Sequence, residues 1–357
     1  MSSVSRDNGA MAPSIASDAF VGSRVAIERS LVCTDAGQFP VLIRSGDLLA
    51  VVLRTGGDHY GLDGTLATTW SDDGGHTWSA PIDVAPRGND VRNPAFGIAA
   101  DGRWVLAYWR AGIRCYPDGA WKLPDGVGDP DLFVVTSGDR GQTWSQEIPQ
   151  RSELLAWASP FGRIIALPDG LIMAAYGPPH GASSPSRFDA IVLRSRDGGA
   201  SWGDESRVLA DASELALCAV SPELLVGAVR RATGETSIVR SRDAGRTWSE
   251  PIAVTRAGEH PADLCVLARS GRLLLTFGRR IRPLGCGALT SADGGATWQH
   301  EVILAGDGIG NDVGYPSTVQ LADGSLATAM YFARGSGIDE WGERTCQLLH
   351  YSEVLVV

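Results

Sequence analysis

Apolar residues recur along the chain in one repeating arrangement. A Pro opens an apolar run, a Gly-containing turn follows, and a second apolar run returns. The pattern appears as PVLIRSGDLLAVVLR (40–54), PAFGIAADGRWVLAYWR (94–110) and PFGRIIALPDGLIMAAYG (160–177). It returns as PADLCVLARSGRLLLTFGRR (261–280) and PSTVQLADGSLATAMYF (316–332), and without the Pro as CAVSPELLVGAVRR (218–231). Short runs of alternating polarity, separated by turn residues, predict half-buried antiparallel strands. No stretch carries a helical period of useful length.

A second pattern punctuates the first. SDDGGHTW (71–78) is echoed by SGDRGQTW at 137, SRDGGASW at 195, SRDAGRTW at 241 and SADGGATW at 291. The opening serines are therefore 66, 58, 46 and 50 residues apart. Periods of this size, with short strands, predict a propeller or a similar array. Each unit reads strand, Gly turn, strand, loop, strand, SxDxGxTW turn, short final strand. Six such units, the last without the turn motif, predict an all-β, six-bladed β-propeller with four-stranded antiparallel blades. Residues 24–357 form it as a single domain, behind a flexible N-terminal tail at 1–23. Ring closure stays open between residues 23–33 and the chain's end at 350–357.

Five copies of one turn suit a corner that the fold needs five times. The Asp can accept backbone N–H bonds inside its turn, the glycines adopt conformations closed to other residues, and the Trp can plug the gap between blades. Asp73, Asp139, Asp197, Asp243 and Asp293 are accordingly read as scaffold, because chemistry needs unlike groups that converge.

Composition narrows the partners. The 357 residues carry a formal net charge of −10 with no basic block, which argues against nucleic acid or an anionic membrane surface. No apolar stretch approaches bilayer-spanning length. The first twenty residues lack the apolar core of a secretory signal, so a cytoplasmic location is expected. Six scattered cysteines without a CxxC pair read as small buried residues. GDGIGN (306–311) lacks the lysine and helix of a phosphate loop.

Two places in each unit meet at the same end of the blade: the residues before the first-strand Pro, and the end of the second strand. The first place holds Gln38–Phe39, Arg92–Asn93, Ala158–Ser159, Glu259–His260 and Gly314–Tyr315, with Glu214 nearby in the fourth unit. The second holds Arg54, Arg110, Arg230 and Arg279–Arg280, with Tyr176 and Phe332 in units three and six. Asp58, His59 and Tyr60 follow Arg54. One mouth thus gathers arginines, carboxylates and a tyrosine, which suits an anionic ligand because guanidinium grips carboxylate in a bidentate way.

The SxDxGxTW turn resembles the Asp-box (BNR) repeat, and the chain from about residue 24 resembles the sialidase superfamily of six-bladed propellers. That resemblance implies a retaining exo-glycosidase acting on a terminal acidic sugar, by default sialic acid. It implies Tyr315 as nucleophile, Glu214 as its base and Asp58 as acid and later base. Sialidases depart from the usual pair of carboxylates by using a tyrosine. A phenol approaches uncharged where the anomeric carbon bears a carboxylate that would repel an anionic nucleophile. The resemblance also implies that Arg230 and one of Arg279, Arg280 or Arg282 hold the substrate anion, with Arg54 and Arg92 assisting. One position departs from the family. Gln38 stands where sialidases carry the first arginine of a carboxylate-binding triad, while Arg92 occupies the equivalent place in the second unit. Gln38 and His260 join the substrate-binding set. No metal or cofactor is expected. Two other readings stay open: a polysaccharide lyase acting beside a uronate carboxylate with Tyr or His as base, and a non-catalytic glycan-binding propeller.

Overall fold

The computed structural model describes residues 26–56, 64–87, 90–110, 132–182, 187–333 and 344–357, and the backbone of 114–115 and 121–122. Among the described residues, the strands form six four-stranded antiparallel meanders and one short pair, Arg114–Cys115 with Trp121–Lys122. Four of the meanders are separate sheets, and two join into one eight-stranded sheet through a short parallel pairing of Gly162 with Ala95 and Arg163 with Phe96. The innermost strands are Gln38–Ser45, Val91–Ile98, Ser159–Leu167, Ala212–Ser221, Glu259–Val266 and Gly314–Gln320. Each contacts the next, and the sixth contacts the first, so the ring is closed and the fold is a β-propeller.

Closure is a shared sheet. The sixth blade takes its outermost strand from Glu28–Cys33, which pairs antiparallel with Arg344–Tyr351 in a register running from Glu28 opposite His350 to Cys33 opposite Cys346. The N-terminal side therefore completes the last blade, and the predicted tail at 1–23 lies outside the described residues. Arg29 ties that strand to the loop between the fifth and sixth blades with a two-pronged pair to Asp307, at 2.6 and 2.7 Å.

The second strand of each blade differs from the predicted half-buried pattern. Leu48–Thr55, Trp104–Arg110, Gly170–Gly177 and Leu326–Ala333 are buried along nearly their whole length, on both faces. Blades stack face to face around the ring, so a mid-blade strand has no solvent side, and its apolar run is continuous.

The five repeated turns lie between the third and fourth strands, on the outside of the ring. In the first, Ser71 donates to Asp73 Oδ1 at 2.7 Å, and Asp73 accepts from the backbone of His76 at 2.9 Å and Thr77 at 3.0 Å. The Trp78 indole donates back to the Gly75 carbonyl at 3.0 Å. Gly75 has φ +94°, and a Cβ there would stand 2.3 Å from Leu348 of the sixth blade. Each turn thus locks itself and docks on its neighbour. Trp78 packs with Leu49 and Leu348 across the junction of the sixth and first blades. Trp248 does the same between Ile172 and Leu225 of the third and fourth. Hydrogen bonds to Thr or Ser and to backbone N–H groups hold all five Asp carboxyls below their ordinary range, against the opposing effect of burial where the turn is partly covered. They are scaffold.

Candidate active site

The inner strands start at one mouth of the ring, and a bulge shapes that start. In the first blade Gln38 pairs with Arg54 but Val41 pairs with Val52, so one residue is extra. The same slip occurs at Arg92/Ala95, Ala212/Leu215, Glu259/Ala262 and Gly314/Ser317. A bulge re-aims side chains at the end of a strand. Phe39, Asn93 and Tyr315 occupy it with φ of +53°, +53° and +51°, each directly before a Pro. A bulky aromatic in the left-handed region persists only where its surroundings over-determine it. Glu214 and His260 occupy the equivalent bulges of the fourth and fifth blades.

Tyr315 and Glu214 meet. The Tyr315 hydroxyl donates to Glu214 Oε1 at 2.5 Å, and Arg230 Nη1 donates to Glu214 Oε2 at 2.9 Å. Burial alone would raise the Glu214 carboxyl, but Arg230 and the tyrosine hydroxyl hold it below its ordinary range. Burial and the Glu214 charge push the Tyr315 phenol well above 10.0, so it stays protonated at neutral pH. The dyad is a neutral phenol already bonded to a carboxylate that can take its proton.

Arg280 lies over the Tyr315 ring, its guanidinium carbon 5.7 Å from the centroid. Its Nε and Nη2 are buried with no hydrogen-bond partner among the described residues. A guanidinium in that condition calls for an anion. Of Arg279, Arg280 and Arg282, Arg280 is the one set against the Tyr315 ring. Arg279 is buried and engaged with Glu259 and Glu301, both at 2.7 Å, while Arg282 is exposed. Arg282 is not brought to the dyad.

Arg54 and Arg92 are brought together, at one remove. Arg54 donates to Asp90 at 2.8 Å and to Gln38 Oε1 at 3.0 Å, and Arg92 pairs with the other oxygen of Asp90 at 2.8 Å. Gln38 is fully buried here, its carbonyl oxygen bound to Arg54. Arg92 also covers the Trp109 ring at 5.3 Å, and Trp109 stacks on Trp157 at 4.8 Å. Asn93 donates to Ser159 and to Tyr176, closing the floor between the second and third blades. Arg110, read as a mouth residue, instead pairs with Glu147 and lies over Phe133. His260 is buried, and burial, then Arg230 and Arg280, lower it to about 3, so the ring is neutral. Asp58, His59 and Tyr60 lie outside the described residues.

Sequence reasoning missed Asp90. The signal was present in NDVRNP (89–94): alternation along a strand puts residues 90 and 92 on one side, where two cations at 54 and 92 require a counter-charge. It also missed the pair Asp312–Arg344, at 2.5 Å, whose partners are remote in sequence.

Comparison with known proteins agrees with this architecture. Residues 119–328, more than half of the chain, match the BNR repeat-like domain family. A Bacteroides fragilis protein named sialidase is 27% identical over 299 residues, covering 73% of this chain and 52% of that protein. A Clostridium perfringens sialidase is 24% identical over 217 residues, covering 55% of each. The chain thus spans about half the length of these curated relatives. Among solved structures, a Dyadobacter fermentans protein of unknown function superposes with a TM-score of 0.77 at 22% identity, covering 91% of this chain and 99% of its own. The NanB sialidase of Streptococcus pneumoniae gives 0.67 at 15% identity, covering 91% of this chain and 70% of its own. The fold, the five Asp-box turns and the matched domain lead to one assignment: the chain belongs to the BNR repeat-like family, within the sialidase superfamily.

Proposed function

We propose that the protein is a sialidase-like retaining exo-glycosidase that hydrolyses a terminal acidic sugar, sialic acid by default, with Tyr315 as nucleophile. The observation that carries the reading is the 2.5 Å bond from the Tyr315 hydroxyl to Glu214, itself oriented by Arg230, beside Arg280, whose Nε and Nη2 are buried without a hydrogen-bond partner among the described residues.

The chemistry follows from the charges. Arg280 and Arg230 hold the sugar carboxylate and fix the anomeric carbon over Tyr315. The phenolic oxygen bonds to that carbon as the bond to the leaving oxygen breaks. Glu214 takes the phenolic proton, and an acid gives one to the leaving oxygen. Family resemblance assigns that acid to Asp58. Water then attacks the tyrosyl adduct, its proton going to Asp58, while Glu214 returns a proton to Tyr315. Two inversions give net retention. A lyase with His260 as its base is disfavoured, because an imidazole lowered to about 3 is a poor proton acceptor at neutral pH.

The test is release of fluorophore from an aryl α-ketoside of sialic acid, wild type beside Tyr315→Phe. Turnover that collapses in the variant, with the α-anomer released first by NMR, supports the reading. No turnover by folded wild type sinks the default substrate, and a product absorbing in the ultraviolet through a new double bond would return the lyase.

A further inference from the structure

The Tyr315 hydroxyl is fixed by Glu214, but one hydrogen bond leaves the ring free to swing about it. The plane of the ring is set elsewhere. Tyr331 stacks on it with centroids 5.7 Å apart and planes 27° apart. Phe39 meets the Tyr315 ring edge-on at 4.8 Å and the Tyr331 ring at 5.9 Å. Tyr331 is itself immobilised: it is fully buried, and its hydroxyl donates to Asp312 Oδ1 at 2.6 Å. Arg344 holds the other oxygen of Asp312 at 2.5 Å. In the sheet Tyr331 pairs with Gly314, the residue before the nucleophile. A Cβ at Gly314 would stand 2.9 Å from Gly278 Cα, so the fifth blade pins that backbone as well.

From this geometry we infer that Tyr331 is a positioning residue for the nucleophile: a ring shelf, anchored through Asp312 and Arg344, that holds Tyr315 in its left-handed bulge with the hydroxyl on Glu214. The inference rests on Tyr315 being the nucleophile. Ring stacking should matter more than the Tyr331 hydroxyl, since the shelf acts through its face. A misplacement of about 1 Å at a reacting atom is enough to lower a rate by about a hundredfold.

Tyr331→Leu and Tyr331→Phe separate the two contributions. Expected for Tyr331→Leu is a kcat lower by about 10- to 100-fold with KM within about threefold. Tyr331→Phe should keep at least about half of the wild-type kcat. Covalent labelling by a fluorinated sialosyl fluoride gives the decisive split. A positioning role slows the labelling rate constant at full stoichiometry, while a merely structural role lowers stoichiometry at an unchanged rate, and the second result overturns the inference. Fluorine NMR of protein carrying 3-fluorotyrosine, assigned through Tyr315→Phe, reads ring order without turnover. Faster flipping of the Tyr315 ring in Tyr331→Leu supports the shelf, and unchanged flipping removes it. Should wild type neither turn over nor label, the glycosidase reading falls while the NMR result still decides the shelf.

Discussion

Arg54 and Asp90 form an ion pair 2.8 Å apart with both side chains wholly out of solvent, one at the end of a first-blade strand and one just ahead of the second blade. Asp90 is also the counter-charge of Arg92, so one carboxylate neutralises two guanidinia at the junction of two blades. A Cβ at Gly64 would stand 2.0 Å from Arg54 Nη2, so the arginine has no other place to go.

Asp90→Ala should therefore be strongly destabilising, by about 3–5 kcal/mol, because it removes the carboxylate that two buried guanidinia share. Chemical denaturation reads the loss. A change within about 0.5 kcal/mol would show that water or another group already shares the charge.

Glu214→Gln keeps the shape of the dyad and removes its base. kcat on an activated aryl sialoside should fall by about 10²–10⁴-fold with little change in Tm. Activity within about threefold of wild type would take Glu214 out of the chemistry.

Arg280→Lys retains charge but loses the planar fork, and Arg280→Met retains bulk alone. KM for a carboxylate-bearing sugar should rise in both, further in the second, while the fold is unaffected or stabilised, because Nε and Nη2 are buried without a hydrogen-bond partner among the described residues. Isothermal titration with the free sugar acid checks it, and equal affinity in all three proteins would put the anion elsewhere.

His260 sets a pH dependence whose sign can be worked out. Its folded value, about 3, lies below its ordinary 6.5, lowered first by burial and then by Arg230 and Arg280. As pH falls below about 6.5 the unfolded chain takes up a proton that the folded one refuses, so stability drops toward pH 3, by about 1.4 kcal/mol per unit from this group. His260→Gln should flatten that part of the profile. Parallel stability curves for the two proteins between pH 6.5 and 4 would refute the assignment.

Asp243→Ala tests the scaffold role of the repeated turn. Asp243 accepts from the backbone of Arg246 and Thr247 and from the Thr247 hydroxyl, far from the mouth. Tm should fall while kcat per folded molecule holds. A selective loss of kcat would mean that the turn communicates with the site.

The architecture was legible because its signals repeat. The Asp, Gly and Trp of each turn, and the Pro that opens the inner strand in all units but the fourth, recur at fixed places in a unit, and repetition turns weak local signals into register. Tyr315, Glu214 and His260 were found in this way, as unlike residues at like positions. That Arg280 rather than Arg279 lies against Tyr315 was not legible. Arg279 ends its strand and is taken up by Glu259 and Glu301, while Arg280 lies just beyond it against Tyr315, and those partners are remote in sequence. Arg110 failed for a related reason: Glu147, from the loop before its own blade's last strand, draws it outward. Asp90 and Asp312 could be seen as charges but not as partners, since long-range pairing is set only once the ring has formed.

The seam between Glu28–Cys33 and Arg344–Tyr351 joins two ends of the described chain in one sheet. During synthesis the first of these strands leaves the ribosome long before its partner exists. Until then the sixth blade has no outer strand, and an unpaired sheet edge and a strand without a sheet coexist in the nascent protein. The seam therefore closes only after Arg344–Tyr351 has been made, while the other blades can already hold their own strands.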